Sequence, residues 1–116
     1  MTLKRQLLGS RGEDQALEIL KNKGLKLVGR NLRLFCGEID LLMQDKEIFV
    51  IVEVKTKSDD SFGQAKEMIT AKKKKKLRQL AEALGQKIPQ KTIRIDVVAI
   101  DQARGSFEHL ISAVEG

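Results

Sequence analysis

Tryptophan and tyrosine are absent from this chain, and only four phenylalanines stand among its 116 residues. That scarcity argues against a single-strand binder that stacks bases along aromatic platforms, so contacts to any nucleic acid are expected to fall mainly on phosphates. The one cysteine, Cys36, allows no intrachain disulfide, which suits a reducing cytoplasm. With a single histidine, His109, it also leaves too few nitrogen and sulfur donors for a structural zinc site. The stretch from Met1 to Gly9 lacks the long apolar run and cleavage site of a signal peptide, and nothing approaches the length of a membrane span. Pro89 is the only proline, and no linker or repeat interrupts the chain, so one domain is expected. What the chain has in abundance is charge. Lys and Arg number 22 against 16 Asp and Glu, a net charge of +6 that points to a polyanionic partner, most simply nucleic acid.

Hydrophobic spacing divides the chain into seven elements. Ala16, Leu17 and Leu20 recur at helical spacing, predicting a helix from about Ser10 to Lys23 stopped by Gly24. Strands are predicted near 25–34, 38–43 and 47–56. The third contains Ile48-Phe49-Val50-Ile51-Val52, apolar on both faces and therefore central in a sheet. After a polar loop, Thr70 is a good N-cap for a second helix that ends near Gly85, with Leu77, Leu80, Ala81 and Leu84 as its apolar stripe. A β-branched strand over 92–100 and a short strand over 107–111 are expected to pair as a hairpin through Gln102 to Gly105. The order α-β-β-β-α-β-β predicts an α/β fold, a mixed sheet flanked by helices.

Glu53 and Lys55 pose a problem of charge. They lie two apart on the most apolar strand of the chain, so they share a face at its C-terminal end. Charges beside a core are costly unless paired or bound to a metal. Asp40 poses the same problem within Gly37-Glu38-Ile39-Asp40-Leu41-Leu42 on the neighbouring strand. A two-residue turn at Asp45-Lys46 would set Gln44 opposite Glu47, Asp40 opposite Ile51 and Glu38 opposite Glu53. Asp40 and Glu53 would then be diagonal neighbours roughly 7–8 Å apart, and a three-residue turn would put them on opposite faces. A divalent cation would relieve the repulsion among Glu38, Asp40 and Glu53, and all-oxygen ligation favours Mg²⁺ or Mn²⁺. Such a metal polarises a phosphodiester and activates water, while Lys55 orients that water or stabilises the transition state. An ordinary Glu53–Lys55 ion pair is the alternative reading.

Glu13 shares the stripe of Ala16, Leu17 and Leu20, so it is expected to face the sheet as a further ligand. Ser10-Arg11-Gly12-Glu13 reads equally well as a capping box closing the helix start. Lys72 to Lys76 is a run of five lysines at the start of the second helix, where cations oppose the helix dipole, which points to phosphate contact. Lys72, Lys74, Lys75 and Arg78, with Lys57 and Lys66, are the candidates for DNA contact. Lys73 lies on the stripe of Leu77 and is read as snorkelling. Gln64 and Ser61, in the loop after the third strand, are candidates for touching substrate phosphate. Asp96 is expected to pair with Arg94, and His109 to be structural.

Arg11-Gly12-Glu13, Asn31-Leu32-Arg33, Gly37-Glu38-Ile39-Asp40-Leu41, Val52-Glu53-Val54-Lys55 and Arg94-Ile95-Asp96-Val97-Val98 occur here in that order. Together they resemble the bacterial YraN family, which is similar to the restriction-endonuclease-like superfamily and to archaeal Holliday-junction resolvases. Lys57 stands where that family often has arginine, and Ile95 where it often has phenylalanine. The resemblance implies a restriction-endonuclease-like fold and a role in DNA processing. It implies Asp40 and Glu53 as metal ligands, joined by the Val54 backbone carbonyl, with Lys55 as catalytic lysine and Glu13 as the helix-borne acid. By analogy it implies a homodimer acting on branched DNA. The expectation is thus a Mg²⁺- or Mn²⁺-dependent endonuclease. The alternatives are a non-catalytic nucleic-acid-binding module on the same fold and an adaptor whose lysines dock an acidic protein.

Overall fold

The computed structural model describes residues 3–57 and 69–114, with side chains from residue 11 onward. Ser61, Gln64 and Lys66 lie outside the described residues. Two helices and five strands follow in the predicted order: α1 (Leu3–Asn22), β1 (Lys26–Leu34), β2 (Gly37–Asp45), β3 (Ile48–Lys57), α2 (Ala71–Lys87), β4 (Thr92–Asp101) and β5 (Ser106–Leu110). The strands form one mixed sheet in the order β1-β2-β3-β4-β5. All neighbours are antiparallel except β3 and β4, whose parallel pairing needs the crossover that α2 supplies.

Each face of the sheet is closed by one helix. On one side Ala16 and Leu20 of α1 pack with Leu41, Met43, Val50, Val52, Val98 and Ile100. On the other, Leu77, Leu80 and Leu84 of α2 pack with Ile39, Leu42, Ile51 and Ile95. Val50, Ile51 and Val52 are buried on successive faces, as expected of a central strand. Among the described residues no helix is long and apolar enough to cross a membrane.

Two helix boundaries differ from expectation. Helix α1 starts at Leu3, so Ser10 lies in its interior and not at the N-cap position that the capping box requires. Leu3, Leu7 and Leu8 continue the helical spacing upstream, and that pattern outweighs the start signal of Gly9-Ser10. At its other end Gly24, at φ 95°, closes the helix as predicted. The amide of Leu25 bonds the carbonyl of Leu20, and that of Gly24 bonds that of Lys21, a Schellman ending. Thr70 caps α2, its hydroxyl accepting from the Lys73 amide at 3.1 Å. The helix runs past Gly85 to Lys87, with Ile88 as its C-cap and Pro89 immediately beyond. Gly12 lets α1 settle onto β3, since a methyl group there would run into Thr56 Cγ2.

Candidate functional site

The turn between β2 and β3 has two residues, but they are Lys46-Glu47 rather than Asp45-Lys46, so Asp45 faces Ile48 and Leu41 faces Val52. This register differs by two residues from the expected one. A two-residue slip keeps every side chain on its own face, so the hydrophobic pattern cannot distinguish the two. Lys46 takes the tight turn at φ 57°, and Asp45 is held by Arg94 of β4 at 3.2 Å. The ladder ends at Leu41 and Val52, and its register carried one step further aligns Asp40 with Glu53 rather than setting them diagonally. There a side chain replaces the backbone ladder: the Val54 amide donates to Asp40 Oδ2 at 3.0 Å. It is through this amide that Val54 visibly takes part in the site.

Both acids are unfavourably placed as anions. Burial raises the pKa of Asp40 above the ordinary carboxylate value, against the lowering effect of the Val54 amide. Burial raises that of Glu53 too, and the nearby charge of Asp40 raises it further. Glu53 is 6% exposed. Two lysines offset this only in part. Lys55 Nζ stands 3.8 Å from Glu53 Oε1, and Lys73 Nζ of α2 reaches the same oxygen at 3.0 Å. Lys73 therefore does more than cover apolar surface: it brings a cation from the helix into the acid pair.

Glu13 and Glu38 border this pair. Burial, then the charge of Asp40, raises the pKa of Glu13. Arg30 holds Glu13 at 3.3 Å and Asp14 at 2.7 Å, while Arg33 lies 3.6 Å from Glu38. Asn31 adopts φ 54° within β1, a conformation asparagine tolerates better than most residues. With its amide nitrogen turned inward it donates to Glu38 at 3.1 Å and to Glu13 at 3.3 Å. Among the described residues no three His, Cys, Asp or Glu side chains converge as a metal-holding group. Glu13 and Glu38, which exchange charge effects with Asp40, are drawn onto Arg30, Asn31 and Arg33. As an all-oxygen pair that burial disfavours as anions, Asp40 and Glu53 fit a hard divalent cation.

Arg30, Asn31 and Lys73 are the site residues that spacing alone did not single out. Asparagine inside a strand is an unfavoured choice, and a lysine four residues before buried Leu77 points toward the sheet. Those were the available signals.

Helix α2 leaves Lys72, Lys75, Lys76 and Arg78 exposed, with Lys74 half-buried. No acidic residue lies in its first turn. Lys57 is placed differently: its side chain is 11% exposed and pairs with Asp101 at 3.6 Å. A separate cleft of about 550 Å³, lined by Arg11, Glu18, Asp101 and Phe107, contains neither acid of the pair.

Comparison with known proteins agrees with the motif resemblance. The profile of an uncharacterised protein family, UPF0102, matches residues 12–100. A UPF0102 protein of Herminiimonas arsenicoxydans is 44% identical over 99 residues, covering 84% of this chain and 79% of its own. One from Janthinobacterium sp. (strain Marseille) is 45% identical over 98 residues, covering 84% and 80%. A third, from Thermodesulfovibrio yellowstonii, is 36% identical over 110 residues and covers 91% and 94%. The motifs around the acid pair lie inside the matched span, and the chain belongs to the UPF0102, or YraN, family.

Proposed function

We propose that this protein is a Mg²⁺- or Mn²⁺-dependent DNA endonuclease of the restriction-endonuclease-like kind, with branched DNA among its substrates. The observation that carries the proposal is the pair Asp40 and Glu53 on adjacent strands, one half-buried and one buried carboxylate, with the charge of Asp40 adding to the burial that disfavours the Glu53 anion. Asp40 and Glu53 would hold the metal, with Val54 contributing its backbone carbonyl and Glu13 as an outer acid. The bound cation would supply Lewis-acid polarisation of the phosphodiester and an activated water. Lys55 beside Glu53 is suited to orient that water and to stabilise negative charge on the five-coordinate phosphorus. Lys72, Lys74, Lys75 and Arg78 would bind phosphates along the duplex. A homodimer presenting two sites to two strands belongs to the same proposal.

A second reading has its own support. Lys73 already occupies Glu53 through a 3.0 Å ion pair, which a non-catalytic DNA-binding module would retain unchanged. The discriminating experiment is cleavage of a labelled four-way junction and a matched linear duplex, with Mg²⁺, Mn²⁺ or EDTA, beside Asp40→Asn. Metal-dependent cutting that disappears in the variant is expected. Equally tight binding by both proteins without cutting would instead establish the binding module.

A further inference from the structure

Phe35 is the most exposed large hydrophobic residue among those described, at 91%. It occupies the two-residue turn Phe35-Cys36 that joins β1 to β2, closed by the pair Leu34 and Gly37. Nothing in turn geometry calls for an aromatic residue there, since tight hairpins favour Asn, Asp and Gly. The tip is braced. Cys36 packs against the core beneath α2, and a methyl group on Gly37 would lie 2.8 Å from Lys76 Cε, so the lysine stem lies across the turn. Phe35 thus projects from a fixed platform.

The ring has a basic side, toward Arg33 and Lys76, although Glu38 pairs with Arg33 there and the cleft on its other side carries Glu82 and, among the described residues, no cation. Phe35, Arg33, Glu38 and Lys76 line one open cleft of about 780 Å³. Lys72, Lys75 and Lys76 line the cleft further along α2. Arg33 is 85% exposed. A single ring flanked by cations matches a base face flanked by phosphates. It is too small an apolar surface to anchor a protein on lipid. The ring also lies on the same hairpin as the acid pair. Asp40 is five residues further along the chain, at most about 17 Å at ~3.3 Å per residue.

We propose that Phe35 is a base-stacking wedge: the β1–β2 tip inserts its ring at an unstacked step in DNA, such as a branch point, while Arg33 and Lys76 hold the flanking phosphates. This rests on DNA being the substrate and names the structural feature that the site selects. At ~3.4 Å per nucleotide, the spacing to Asp40 places cuts about five nucleotides or fewer from the branch.

The chain contains no tryptophan, so Phe35→Trp introduces a single emission probe at the tip. Binding is measured in EDTA, where no metal-dependent cleavage occurs, on a four-way junction carrying 2-aminopurine at the branch or within an arm. Junction binding is expected to quench the Phe35→Trp emission. The wild-type protein and Phe35→Trp alter the branch signal only, and Phe35→Ala loses that response. Phe35→Ala also loses junction affinity on the order of tenfold or more, while affinity for linear duplex is unchanged. Junction binding with unchanged Trp emission and full affinity in Phe35→Ala overturns the wedge. So does an emission shift with anionic phosphatidylserine vesicles but not with DNA. A branch-specific response from a protein that fails to cut with Mg²⁺ or Mn²⁺ supports the wedge and rejects the nuclease. Cutting and binding that ignore Phe35 do the reverse.

Discussion

Asp96 and the pair Glu53 and Asp40 are acidic centres on opposite sides of this sheet, and they are treated in opposite ways. Asp96, on the face covered by α1, is fully buried. Arg94 donates to both of its oxygens, at 2.8 and 2.9 Å. His109 Nε2 lies 2.8 Å from Oδ2, and the Ser112 amide donates to Oδ1 at 3.0 Å. Beyond these, Asp45 steadies Arg94 at 3.2 Å and Lys23 lies 2.8 Å from His109 Nδ1. Glu53 and Asp40, toward α2, face another acid instead of such a shell, and the cations that reach Glu53 do not bring its pKa back to the ordinary range. A buried carboxylate with every oxygen engaged is part of the architecture. Two acids with only partial compensation mark the centre as the candidate for function, which is where the proposed metal would sit.

The contrast can be broken most forcefully at Asp96. Removing one partner of a buried ion pair typically costs about 3–5 kcal/mol, so Asp96→Ala should lower the urea midpoint sharply without a change in the nature of the transition. Glu53→Gln, which removes a disfavoured charge, should leave stability at neutral pH equal or higher. Comparable losses in both variants would erase the distinction between the two centres.

The pH dependence sharpens it further. A carboxyl whose folded pKa is raised contributes stability that is full below its unfolded pKa and is lost as pH rises through the folded value. Asp40 and Glu53 are both raised, from ordinary values of 3.8 and 4.5. Their contribution should therefore fade as pH climbs from that range toward neutrality. The advantage of Glu53→Gln over the wild type should be greatest near pH 7–8 and shrink on acidification, as followed by thermal melts across pH. An advantage that grows in acid would contradict the direction of both shifts.

The smallest expected effect lies at Lys73. Its ion pair with Glu53 is about one-third exposed on the lysine side, and such pairs contribute at most about 1 kcal/mol. If Lys73 occupies the position of a cation at Glu53, Lys73→Met should tighten Mn²⁺ binding by about fivefold or less in the absence of DNA. Titration calorimetry reads this directly, and weaker binding in the variant would show that the lysine supports the metal rather than competing with it.

Much of this was legible in the primary structure because periodicity reports burial. The run Ile48-Phe49-Val50-Ile51-Val52 marked the central strand, and Thr70 marked the start of α2 through its hydroxyl. Glu53 and Lys55 at the end of that run marked a place where charge and burial conflict. Asp96 carried the same mark of a charge in an apolar strand. Its partner Arg94 was readable two residues away, whereas His109, Ser112 and Lys23 were not, because they arrive from other elements. Helix α1 begins seven residues before Ser10 because a local start signal competes weakly with continued apolar spacing.

The chain by itself determined the order of elements, the buried strand, the net positive charge and the parity that keeps Asp40 and Glu53 on one face, because all four follow from composition and side-chain alternation. Only the tertiary structure decided that the acids stand opposite rather than diagonal, since registers two residues apart bury the same side chains. It alone brought Lys73 to Glu53 and turned Asn31 toward Glu13 and Glu38, because the approach of helix to sheet depends on packing across the whole core.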